Sequence, residues 1–209
     1  MKLVNAKSIT APGVLIDALA ADHPEEEPGL RRIQSVYDIA NGEIATATSS
    51  AELTPIGKQA AAVKAITKAS GAMAPHDATA ARLKATADAT RARALSPPSE
   101  YQRDQSIERE IRDRLHGTDP LLMPSRYFQA IETGDHAFVA AVESAPAAFA
   151  LLDDVTRRRG EDMKLAKSPL AAQLAQQESE AARYGMVVAT TRTELAKLAE
   201  QHGVLLVEE

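Results

Sequence analysis

Nine residues near the C-terminus, Leu170, Leu174, Gln177, Ala181, Tyr184, Val188, Thr191, Leu195 and Leu198, follow one another at alternating steps of four and three. That spacing keeps one stripe of a helix turned towards a partner helix, so it constrains the fold more than any other feature of the chain. Ser168 offers an N-cap, Pro169 suits the first helical position, and His202-Gly203 is a stop signal. The pattern predicts one helix to about Gln201, roughly 50 Å long at 1.5 Å per residue. A stripe of that length exceeds what a single small core covers. It reads as a partner-contact seam, closed either by a second molecule or by another helix of the chain carrying Ile107, Ile111 and Leu115. Gln177 and Thr191 are polar members of the seam; such residues weaken the contact and can set its register.

Composition points the same way. About a fifth of the 209 residues are alanine, aromatics make up 3%, and tryptophan is absent. Alanine is the best helix former because it loses no side-chain entropy on entering a helix. It also buries little area, and at about 25 cal/mol per Å2 an alanine-lined contact gains less than one built from Leu or Phe. Many helices with thin cores are expected, leaning on neighbours or on other chains. The formal charge of −5 argues against a general nucleic-acid binder. It is unevenly spread: residues 1–50 carry net −3 and residues 51–99 net +4. Without cysteine there is neither a disulfide nor a thiolate metal site. No apolar run approaches the roughly 18 residues that span a bilayer. Pro12, Gly13 and Asp17 break the apolar stretch near the start, so no cleaved signal peptide is expected.

Along the chain, Asp22 to Gly29 is acidic and turn-rich. Ile33 to Ile39, Asn41-Gly42 and Glu43 to Thr48 read as a β-hairpin, because Asn-Gly readily takes a type I′ turn. The rival is a helix from about Leu30 to Ala40 stopped at Asn41-Gly42. Lys2 to Ile9 and Val204 to Val207 are candidate strands. Thr54-Pro55 starts a helix carrying Ile56, Ala60, Val63 and Ile66 as far as Gly71; Pro75 opens a second, ending by Ser96-Pro97-Pro98-Ser99. A third starts near Ser99 or Glu100. Shorter helices follow, with Asp119 and Asp135 as caps and Gly134 as a stop, and the three phenylalanines between 128 and 149 mark the compact core. The fold class is therefore mainly α, with elongated helices, a long C-terminal heptad helix and a small hairpin near the N-terminus. The domains fall at 1–50, 51–98 and 99–209.

No reactive constellation stands out. Phosphate loops, nucleophile elbows and His-Glu-x-x-His are absent, and the five histidines are scattered. Asp135-His136 and His76-Asp77 read as helix caps beside surface histidines, since neighbours on a helix point about 100° apart. Asp153-Asp154, Arg157-Arg158-Arg159 and Glu161-Asp162 read as a solvated, charge-balanced segment. No catalytic, metal or cofactor residue is assigned. The basic helices offer a second use: Lys58, Lys64, Lys68, Lys84 and Arg91 are candidate phosphate contacts for a nucleic-acid-associated protein, although no aromatic residue is interleaved to stack on bases.

Three motifs carry a resemblance: Tyr37-Asp-x-x-Asn-Gly-Glu43, Leu53-Thr-Pro-x-Gly57, and Tyr127-Phe-x-Ala-Ile-Glu-x-Gly-Asp135 through Val142-Glu-x-Ala-Pro146. Over about half its length the chain resembles small alanine-rich proteins encoded among the virion structural genes of tailed bacteriophages and prophages. The resemblance implies a helical, non-enzymatic component of a capsid, neck or tail, present in several copies. Its partners would be itself or other structural proteins, in the virion or the host cytoplasm, with no membrane, cofactor or catalytic residue.

Overall fold

The computed structural model of the chain describes residues 12–146 and 151–204. Among the described residues there are eight α-helices, one short 3-10 turn and no strand. In order they are α1 (Pro12–Ala20), α2 (Glu27–Ser49), α3 (Pro55–Leu95), α4 (Gln105–Leu115), the 3-10 turn Pro120–Leu122, α5 (Met123–Thr133), α6 (His136–Glu143), α7 (Asp154–Lys167) and α8 (Ala171–Gln201). The chain forms two compact units: residues up to Thr86 together with those from Gln177, and Ala87–Gln176. This replaces the division at 50 and 98. The first unit is discontinuous because α8 packs back on the N-terminal helices.

Three helices of the first unit carry the alternating three-and-four spacing. On α2 it is Leu30, Ile33, Tyr37, Ala40 and Ile44; on α3 it is Ala62, Ile66, Ala69 and Met73; on α8 it includes Val188, Leu195 and Leu198. Leu15 and Ile16 of α1 complete the core. Polar ties give the helix directions. Lys58 donates to the Thr48 carbonyl at 2.6 Å and Lys68 meets Glu43 at 2.6 Å, so α2 and α3 are antiparallel. Gln59 donates to the His202 carbonyl at 2.5 Å and His76 lies 3.0 Å from the Tyr184 hydroxyl, so α3 and α8 are antiparallel too. Arg183 of α8 pairs with Glu26 at the start of α2.

The hairpin expected over 33–48 is instead the body of α2. Asn41 and Gly42 are both exposed there, and neither ends the helix. Glycine costs roughly 1 kcal/mol in a helix interior. That is less than burial of Leu30, Ile33 and Ile44 gains, at about 1.5–3 kcal/mol for each large aliphatic side chain. Likewise the two helices expected over 54–95 are one, since α3 continues through Gly71 and Pro75. The two residues after the proline are both held by α8, His76 through Tyr184 and Asp77 through Arg192. These ties carry the helix past the backbone hydrogen bond that Pro75 cannot donate.

In the second unit, aspartates cap successive helices. Asp104 accepts from the backbone N–H of Ser106 at 2.8 Å, Asp135 from Phe138 at 3.0 Å and Asp153 from Thr156 at 2.6 Å. Asp119 caps the 3-10 turn at 2.9 Å, and Gly134 ends α5 with φ 75°. The Asp104 cap moves the expected start of the third helix from Ser99 to Gln105. The core holds Leu115, Met123, Tyr127, Ile131, Val142 and Leu152, with Phe128 and Phe138 packed against it. The third phenylalanine, Phe149, lies outside the described residues, as do the candidate strand at Lys2 to Ile9 and all of the one at 204–207 except Val204.

The charged stretch around Arg157-Arg158-Arg159 folds as helix α7, with Asp153, Asp154, Arg158, Arg159 and Asp162 exposed, as expected of a solvated, charge-balanced segment. Arg159 sits 5.1 Å above the Phe128 ring, a cation–π contact. Gly160 is buried where the helix meets Tyr127, and a Cβ at that position would overlap the tyrosine ring.

Candidate binding groove

The groove lies within the second unit, between three chain junctions: the end of α3 with Ser96-Pro97-Pro98, the α5–α6 turn, and the end of α7 with Ser168-Pro169-Leu170. Its volume is about 670 Å3 and it is open to solvent on one side. That volume lies within the usual span of ligand sites. Two proline-containing corners form its walls because each terminates a helix. Ser168, expected to cap α8, in fact ends α7, and α8 begins only at Ala171.

A polar cluster sits beneath the apolar walls. The hydroxyl of Tyr127, a residue with no exposed surface, donates to Glu143, whose carboxylate also takes a hydrogen bond from Lys164 Nζ at 2.6 Å. Burial, and then the hydrogen bond to Glu143, push the Tyr127 phenol well above its usual range, so it remains a neutral donor. One turn along α7, Lys167 donates to the carbonyls of Glu132 at 2.9 Å and Ile131 at 3.3 Å. It thereby satisfies the free C-terminal end of α5 with a cation. His136 lines the groove, its ring 5.7 Å from that of Tyr101. Glu143 was visible in the sequence only as part of a motif, and Lys164 and Lys167 carried no signal; their partners lie about 20 and 35 residues away in sequence.

A second buried carboxylate has a structural role. Glu108 on α4 has a side chain only 2% exposed. It accepts from Arg103 at 2.6 and 3.0 Å and faces Ser144 at 3.2 Å and Arg112 at 3.8 Å. The Arg103 guanidinium holds its pKa below the usual glutamate range, against the opposing effect of burial. The cluster joins α4 to the end of α6.

The predicted sites fare differently. Every seam residue is buried or half-buried within the chain: Leu174, Val188, Thr191, Leu195 and Leu198 are buried, while Leu170, Gln177, Ala181 and Tyr184 are half-buried. Along α8 itself the stripe is buried or half-buried within the chain, whereas Leu170, which precedes the helix, lines the groove. The cover in the first unit comes from α2 and α3 rather than from the Ile107 to Leu115 segment. Of the candidate phosphate contacts, Lys58 is bonded to Thr48 and Lys68 to Glu43, and Arg91 is half-buried in the second unit. Lys64 and Lys84 remain exposed, about 30 Å apart along α3 and on nearly opposite sides of it. The five do not gather into one phosphate-facing patch. Asp135 and Asp153 are caps, and His76 is a mid-helix tie rather than a helix start.

Among the described residues, His23, Glu25 and Glu26 hold ligand atoms within 4.8 Å of one another. Both carboxylate oxygens of Glu26 are engaged by Arg183, so this trio is an ion-pair cluster rather than a metal centre. No described helix is long and apolar enough to cross a membrane. Set against protein families, curated proteins and solved structures, the chain matches none.

Proposed function

We propose that the chain is a non-enzymatic structural component of a larger protein assembly, such as a tailed-phage capsid, neck or tail, and that it works through protein–protein contacts. The observation that carries this reading is the groove of the second unit: preformed, apolar-walled, open on one side and bordered by cations. The motifs that resemble phage virion proteins agree with the reading. Of the expected seam only Leu170 has a part in it, as a lining residue of the groove; the chain itself covers Leu174, Val188, Thr191, Leu195 and Leu198.

Chemical cross-linking of the chain in its native source, followed by mass spectrometry, is the test. Cross-links from the second unit to one or a few defined proteins are expected, as is a larger particle than the monomer in light scattering. Recovery of the chain as an uncross-linked monomer at its native abundance refutes the proposal.

A further inference from the structure

We propose that the groove of the second unit seats an acidic, apolar peptide segment donated by the assembly partner. The inference rests on the assembly reading above and names the chemistry of what is held. The walls supply apolar contact from Leu95, Pro97, Ile131, Val139 and Leu170. The charged residues on the lining are Arg93, Lys164 and Lys167 against Glu132 and Glu143. Glu143 Oε1 accepts from both Tyr127 and Lys164, so the Glu143 and Lys164 charges answer each other. That leaves Arg93 and Lys167 against Glu132, a balance on the positive side, and a carboxylate is the complementary group. Lys164 spends one of its three N–H donors on Glu143, and Lys167 spends two on carbonyls, so each keeps donor capacity for an incoming anion.

Two features favour a peptide over a small metabolite. The groove is about half open to solvent, so an occupant can continue out of it, whereas a metabolite site encloses most of its ligand. The buried side-chain atoms without partners among the described residues belong to Gln34, Arg157, Gln177 and Thr191, and none of these lines the groove. The lining therefore offers no desolvated polar group waiting for a matched donor or acceptor. What remains is apolar contact plus charge, which suits a short aliphatic run ending in Glu or Asp.

The test is calorimetric titration of the full chain with acetyl-Leu-Val-Leu-Glu-Glu-amide. The comparators are acetyl-Leu-Val-Leu-Lys-Lys-amide, acetyl-Ser-Ser-Ser-Glu-Glu-amide and decanoate. The first peptide is expected to bind at least about tenfold more tightly than the other two, and to weaken as salt rises from about 0.05 to about 0.5 M. Arg93→Glu, at an exposed position, and Lys167→Glu are each expected to weaken it about tenfold while the helical circular dichroism is unchanged. Because Lys167 also caps α5, methyl NMR of the unaltered chain is the second readout; the acidic peptide is expected to shift Ile131, Val139 and Leu170. Equal affinity for the acidic and lysine peptides, binding of decanoate without the peptide, or shifts confined to residues outside the groove would each overturn the inference. If Arg93→Glu and Lys167→Glu leave cross-linking to the native partner intact, the inference fails and the assembly reading stands. If no partner cross-links at all, the assembly reading itself fails.

Discussion

Gly160 is the residue on which the second unit closes. With no Cβ it lets α7 approach the ring of Tyr127, whose hydroxyl anchors Glu143 in the floor of the groove. Gly160→Ala is expected to lower the stability of the unit by about 1–3 kcal/mol in urea unfolding, because the tyrosine must shift. Gly71→Ala, in open space within α3, is expected to be neutral or to stabilise by up to about 1 kcal/mol. Glu108 sets the acid response. Its folded pKa lies below the ordinary glutamate value of 4.5, so the folded unit binds fewer protons than the unfolded chain there. Its contribution is complete above that value and is lost as pH falls through the lower folded one. Glu108→Gln is expected to flatten this acid limb. It should also cost about 1–3 kcal/mol at neutral pH, since Arg103 loses a charged acceptor; unfolding curves measured across the acid range check both. Little of this was legible in the sequence. Of the capping aspartates, Asp119 and Asp135 were, because a cap acts on N–H groups two or three residues away, while Asp104 and Asp153 were not read as caps. Gly160, Glu108 and Lys164 were not, because what each meets is decided by helix packing.

At the scale of elements, α2 and α3 show where local rules yield. Asn41-Gly42 and Pro75 both read as breaks, and both lie inside helices. A break signal of this kind is worth about 1 kcal/mol for glycine and about 3 for proline, less than a buried stripe and two cross-helix ties supply together. Pro75→Ala is accordingly expected to raise the stability of the first unit by up to about 3 kcal/mol by restoring a helical N–H. Tyr184→Phe removes the tie to His76 and is expected to speed amide hydrogen exchange over residues 71–77 by roughly tenfold; unchanged exchange would show that the tie does not hold the helix past the proline. The same weighing explains α7. Its sequence is so charged that it carries no apolar period, yet Arg159 on Phe128 and the close approach at Gly160 pack it into the core.

For the whole molecule, the decisive question is what covers the α8 stripe. In the first unit, α2 and α3 cover it, so stability there belongs to the monomer. Leu195→Ala is expected to cost about 2–5 kcal/mol, with an unfolding midpoint independent of protein concentration. A midpoint rising with concentration, and abolished by the substitution, would return the stripe to an intermolecular role. The sequence by itself determined that the chain is helical, where α3 and α6 begin, and that a long heptad spacing runs through the C-terminal part of the chain. These follow from short-range causes: alanine's propensity, caps acting within a turn, and a period repeated along one helix. Tertiary structure alone decided that α2 and α3 supply the stripe's cover, that two break signals are overridden, and that Tyr127, Glu143 and Lys164 meet beneath a groove. Each depends on contacts between residues distant in the chain, and an alanine-rich stripe announces such contacts faintly because the area it buries per residue is small.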